Sequence, residues 1–212
     1  MSLKKQLQTR LSSPAFKDKS VHELVELLSD TTMKGILEDT TVSSLTTNVF
    51  TDGGSMANGK KNARAAYSVY FENPELSGLN VTKPVDKSLM QTNNVAELSG
   101  ILEAFKIIQN NKKSIKTPVV LYSDSLYSIK CITQWYKGWV KNGWKNAKGE
   151  PVKNKELIQQ ILDIISTFDV VTIIEHVKSH QPEPENKDSV AWRIWNGNDI
   201  CDRNIRELLK KK

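Results

Sequence analysis

Cysteine is nearly absent from this chain. Two among 212 residues, Cys131 and Cys201, are too few for a disulfide scaffold or a zinc cluster. Both fall in helical patterns and read as packing residues of a reducing, intracellular setting. Long apolar runs are missing as well. No stretch of about 18 hydrophobic residues occurs, so no membrane span is expected. Internal repeats are also missing. A hydrophobic fraction of 38% and a charged fraction of 25% exclude a disordered or fibrous chain and suit one medium α/β domain.

The charge is unevenly spread. The net charge is +6, and residues 137–155, "KGWVKNGWKNAKGEPVKNK", hold six lysines against one acid, Glu150. Trp139 and Trp144 lie among them and Trp135 just before. Exposed loops seldom carry so much tryptophan. Lysines neutralise phosphates while indole faces pack on sugars and bases, so this segment reads as a nucleic-acid surface. A solvated surface loop is the plainer alternative.

Residues 1–46 differ from the rest. "SVHELVELL" has a helical apolar spacing, with Ser20 and Glu23 as a capping box, and "DTTVSSLTT" reads as a linker. The first twenty residues carry five basic residues and one acid, which leaves a mitochondrial presequence as the alternative to a helical extension. From 47 onward the periodicity predicts strands at "NVFTDGG", "RAAYSVYFE" and "NVTKPV", the last an edge strand because of Pro84. A helix at "TNNVAELSGILEAFKIIQNN" follows, then strand "PVVLYS", helix "SLYSIKCITQWY", helix "NKELIQQILDIISTF", strand "VVTIIEHV" and a last helix from about Asn198 to Lys210. Short connections followed by strand–helix alternation predict an antiparallel meander that continues into parallel strands. The expected fold is α/β, a five-stranded mixed sheet flanked by helices over 47–212.

Four acids sit at element ends or on helices. Each has an ordinary explanation: Asp124 as a helix cap, Asp52 as a turn former, Glu97 as a capping-box acid, Asp202 as a solvated helix residue. Together they say more. In the expected topology the first and fourth strands are neighbours, so Asp52 and Asp124 face each other, with Glu97 on the crossover helix and Asp202 on the last one. Clustered carboxylates repel unless cations compensate them, and hard oxygen ligands suit Mg²⁺ or Mn²⁺. Two such ions can activate a water for phosphodiester hydrolysis.

The stretches "TDGG", "TNNVAEL", "YSDSLYSI", "WYKGWVKNGWK", "KNKEL", "HVKSH" and "GNDICDRN" occur in an order that resembles the type 1 ribonucleases H of cellular eukaryotes, across about 47 to 210. The resemblance implies a ribonuclease H-like fold and a monomeric endoribonuclease that cuts the RNA strand of RNA–DNA hybrids with two metal ions. It implies metal-binding roles for Asp52, Glu97, Asp124 and Asp202, and proton transfer or product release for His180. It implies minor-groove contacts from Asn58, Asn93 and Asn94, a DNA-phosphate pocket from Thr92 and Asn154, and an aromatic channel at Trp135 and Trp139 with Lys141 and Lys145 nearby. Two positions depart from the pattern: Met90 stands where an arginine is expected, and Ala147 where a serine is. The segment after His180, "QPEPENKDSVAWRIWNG", is far longer than the short glycine-rich loop of that family. Its tryptophans are expected either to dock on the body or to touch substrate. Residues 1–46 lack the pattern of the family's hybrid-binding domain. A hybrid- or duplex-binding protein with impaired catalysis is the alternative function; another enzyme on the same fold is disfavoured by "TNNVAEL" and the basic tryptophan segment.

Overall fold

A computed structural model describes residues 46–115, 117–168 and 172–211. The helical-extension and presequence readings, made over residues 1–46, lie outside the described residues but for Thr46, and the last residue of the expected linker, Thr47, already belongs to the first strand. Strand β1 (Thr47–Met56) pairs antiparallel with β2 (Arg64–Phe71), which pairs antiparallel with β3 (Val81–Pro84). After helix α1 (Asn93–Asn110), strand β4 (Val119–Ser123) returns parallel to β1, and β5 (Thr172–His176) lies parallel to β4. The order across the sheet is β3-β2-β1-β4-β5, with the proline-bearing strand at an edge as expected. No helix among the described residues is long and apolar enough to cross a membrane.

Period-two alternation divides the sheet into two faces. Val49, Val119 and Leu121 face one core, where α1 supplies Leu98, Ile101, Phe105 and Ile108, and α4 (Lys155–Ser166) supplies Leu157, Ile158 and Ile161. Phe50, Val120, Tyr122 and Ile173 face the other, with Cys201 of the last helix, α5 (Val190–Lys210). Both cysteines are buried free thiols, as packing residues should be.

Two predicted helices differ from expectation. The one at "SLYSIKCITQWY" consists of α2 (Leu126–Lys130), a π-helical turn at Cys131–Trp135 and α3 (Tyr136–Lys141). Such turns leave a ladder interrupted, and here the Thr133 hydroxyl donates back to Ile129 O at 2.7 Å. The last helix starts at Val190, well before the expected Asn198, because Ser189 caps it and accepts from Trp192 N at 3.0 Å. Half of the long segment after His180 is therefore helix. Its far end is held by Arg64, which donates to Leu209 O at 2.6 Å and Lys211 O at 2.9 Å.

α5 lies very close to the sheet at Gly197, where an added Cβ would sit 2.5 Å from the Phe50 ring. Phe50 is fixed in turn by stacking on Tyr122, with centroids 4.8 Å apart. An alanine in a helix normally gains about 1 kcal/mol over glycine. At this position the overpacking outweighs that gain, and Gly197→Ala should destabilise the protein by roughly 1–3 kcal/mol in urea denaturation. An equally stable or more stable variant would contradict the packing described.

Candidate active site

The site forms where β1 outruns β4. Their parallel pairing ends at Thr51↔Ser123, while β1 continues to Met56 beside β2 alone. Asp52 and Asp124 are the next residues on each strand and open onto the cleft beyond the carboxyl end of β4, the usual place for a site in such sheets. Ser125, not Asp124, caps α2, accepting from Ser128 N. The cap explanation for Asp124 thus falls away. Glu97 is freed from capping too, because Thr92 caps α1 and accepts from Val95 N at 3.4 Å.

Glu97 reaches the acids because α1 packs directly on β1. A Cβ on Gly53 would lie 2.2 Å from Glu97 N, so only glycine allows this approach. Across the gap, a Cβ on Gly100 would lie 3.2 Å from Asp52 O. The outcome is a group in which ligand atoms of Asp52, Glu97 and Asp124 all lie within 4.8 Å of one another.

The electrostatics follow from this crowding. Asp52 and Glu97 are only 8% and 9% exposed. Burial, then the charge of Asp124, pushes Asp52 from 3.8 up to about 7, although the Gly53 amide donates to its Oδ1 at 2.7 Å. Burial, followed by Asp52 and Asp124, pushes Glu97 well above its ordinary value. Its Oε2 is buried without a hydrogen-bond partner. Asp124 is raised by burial, an effect opposed by His180, then by a hydrogen bond from its own backbone amide, then by His176. Buried mutually repelling acids with an unpartnered oxygen fit an oxygen-liganded cation.

Asp202 lies on the same cleft but outside the tight group. Its carboxylate pairs with Arg206, one helical turn on, at 2.9 Å. The cleft of about 730 Å³ is also lined by Asn93, Asn94 and the exposed His180. Other predicted residues lie elsewhere. Asn58 is exposed in the β1–β2 hairpin, and Asn154, at left-handed φ 59°, donates to the Tyr127 hydroxyl at 3.1 Å. Tyr127, Trp135, Trp139 and Trp144 form a ladder of rings with centroids 6.1, 5.9 and 6.1 Å apart. Lys130 and Lys155 lie over Trp135 and Trp144. Lys141 and Lys145 are exposed near the ladder's Trp144 end, and Met90 is 71% exposed.

The sequence reading missed His176 and Arg206. His176 ends β5, in register with Ser123, and its Nε2 lies 3.2 Å from Asp124 O. The signal was strand register: "IIEHV" ends level with "LYSD". Arg206 was readable as the i,i+4 partner of Asp202.

The carboxylate strain gives a pH signature. Asp52 takes up its proton near pH 7 when folded without metal and near 4 when unfolded, so the folded chain holds more protons between these values. Stability from this group is complete below about pH 4 and is lost as pH rises through about 7. Asp52→Asn keeps an acceptor for the Gly53 amide and removes the charge. In EDTA it should match the parent near pH 4 and exceed it by up to about 4 kcal/mol above pH 7, at about 1.4 kcal/mol per pH unit. A constant difference across that range would contradict the buried repulsion.

Comparison with known proteins gives the same picture. The sequence model of the RNase H family matches residues 45–208. Ribonuclease H of Schizosaccharomyces pombe is 37% identical over 139 residues, covering 66% of this chain and 48% of the relative. Ribonuclease H1 of Mus musculus is 32% identical over 163 residues, covering 77% and 50%. The chain spans about half the length of these two relatives. The solution structure of the PFV RNase H domain is similar in fold, with TM-score 0.57 and 23% identity over 76% of this chain and 92% of that domain. A match that begins just before β1, ends inside α5 and takes in every acid of the cleft has one meaning: this chain belongs to the RNase H family.

Proposed function

We propose that this chain is an endoribonuclease that hydrolyses the RNA strand of RNA–DNA hybrids, leaving 5′-phosphate and 3′-hydroxyl ends. The observation that carries the reading is the Asp52, Glu97 and Asp124 group, with its one unpartnered buried oxygen. These residues would hold a pair of divalent cations, Mg²⁺ or Mn²⁺, joined by Asp202 once its carboxylate leaves Arg206. When bound, such ions supply Lewis-acid charge at the phosphate and a water of lowered pKa.

The remaining work falls to the chain itself. Asn93 and Asn94 present amide donors and acceptors at the cleft, suited to the 2′-hydroxyls and base edges that distinguish RNA from DNA. Asn58, in the neighbouring hairpin, extends that reading to the minor groove. The ladder through Trp135 and Trp139 offers ring faces to the DNA strand, and Lys141 and Lys145 its phosphate charges. Thr92 and Asn154 would take a DNA phosphate, more weakly for having Met90 where the family has an arginine. His180, on the same cleft as Asp124, would give a proton to the departing 3′-oxygen or ease product release.

A second reading is a hybrid-binding protein with impaired catalysis. One observation favours it: Asp202 pairs with Arg206 instead of joining the other three acids. The test offers hybrid, single-stranded RNA, duplex RNA and duplex DNA, with and without Mg²⁺. Cleavage confined to the hybrid's RNA strand and to metal-containing samples is expected. Tight hybrid binding without cleavage would favour the second reading.

Two variants refine this. Asp124→Asn should abolish cleavage and preserve hybrid binding, since a ligand oxygen is lost and the basic surface is not. Replacing both Lys141 and Lys145 by Ala should reduce the slope of log binding constant against log salt by roughly one unit per lost phosphate contact. Turnover at saturating hybrid should stay near that of the parent, and an unchanged slope would separate these lysines from the backbone.

A further inference from the structure

The long segment after His180 folds back on the helix that follows it. Its chain leaves β5, passes through His180 and runs to Ser189, where α5 begins. Three side chains of the first turns of α5 hold this path. The Trp195 indole N–H donates to Gln181 O at 2.9 Å, and the Trp192 indole to Glu183 Oε1 at 2.9 Å. The same Glu183 oxygen lies 3.5 Å from Lys187 Nζ. Arg193 makes a two-pronged bond to Glu72, at 2.6 and 2.9 Å, and Glu72 also accepts from the buried Asn48 at 2.7 Å. That pair ties the start of α5 to the end of β2 and the start of β1. α5 is thus a fixed post, and the indoles are fastened to it.

The residue held beside this post is strained. His180 has φ 54°, in the left-handed region that a residue with a side chain seldom adopts. The bonds on either side stabilise it: Gln181 Nε2 donates to Ser179 O at 3.2 Å, and Gln181 O is taken by Trp195. A histidine released from this conformation would turn its ring to a different part of the cleft. A loop that must hold one side chain against the acids needs such a restraint, and glycine-rich chain would not provide it.

We propose that Trp195 is a positioning residue. Its indole N–H, by holding the Gln181 carbonyl, keeps His180 in the left-handed conformation in which it lines the cleft shared with Asp124. The inference rests on the ribonuclease reading for its catalytic consequence but not for its structural content. The segment after His180 then exchanges freedom of movement for a fixed ring, held by side chains of the first two turns of α5.

Trp195→Phe is the deciding variant, because it keeps an aromatic ring on the cleft wall and removes only the donor. Turnover on hybrid should fall by roughly three- to tenfold, the scale of one lost hydrogen bond, with KM within about twofold of the parent. Backbone amide order parameters at residues 179–181, read by NMR relaxation, should fall while those of the strands are unchanged. Trp195→Ala should lower the same order parameters at least as much. Unaltered order parameters would overturn the pinning, and lowered ones with unaltered turnover would overturn its role in positioning His180. If the parent protein did not cut hybrid at all, the ribonuclease reading would fail, and the relaxation experiment alone would still decide whether Trp195 fixes the loop.

Discussion

Three carboxylates are crowded together because a helix lies against a strand with no side chain between them. Gly53 is the point of contact. A Cβ there would collide with the backbone of Glu97, so the approach that brings Glu97 to Asp52 exists only with glycine at this position. Everything distinctive about the cleft follows. The acids are buried, they repel, and one oxygen of Glu97 has no protein partner. A protein does not keep such a cluster for stability, because each buried like charge disfavours folding. The cost is understandable if a cation completes the site.

The rest of the architecture serves this crowding from both sides. On one face α1 delivers Glu97. On the other, α5 delivers Asp202 and is seated by Gly197 on Phe50, whose own strand carries Asp52 two residues later. The end of β5 pairs His176 with Ser123 and brings its Nε2 within 3.2 Å of Asp124 O. The surface that could carry a nucleic acid is built by a different device. The π-helical turn at Cys131–Trp135 shifts the register of the helical surface just where the ring ladder runs from Tyr127 to Trp144. Tight packing thus sets the acids, and an irregular helix sets the aromatic surface.

Much of this was legible in the residues. Alternation and chain order predicted five strands in the observed arrangement, and proline put β3 at the edge. The pairing of Asp52 with Asp124 followed from the topology. Other features depended on interactions that no local pattern reports. A π turn and an α turn share the same apolar spacing over five residues, so "CITQW" read as ordinary helix. Asp202 was placed with the other acids because topology brings it to the cleft, but rotation of its side chain to Arg206 is a matter of side-chain geometry. The early start of α5 was readable in Ser189, a good cap just before the apolar spacing of "VAWRIW". The role of Gly53 shows only when the helix is seated.

The central claim is that folding strains these acids and a divalent cation relieves the strain. Acids that hold protons near neutrality must release them when a cation takes their place. Calorimetric titration of the metal-free protein with Mg²⁺ near pH 6.5, in buffers of different ionisation enthalpy, counts those protons directly. The account predicts that about one or more protons leave the cluster on binding, and that apparent affinity rises with pH through about 7, where Asp52 titrates. Binding with no proton release and no dependence on pH would contradict it.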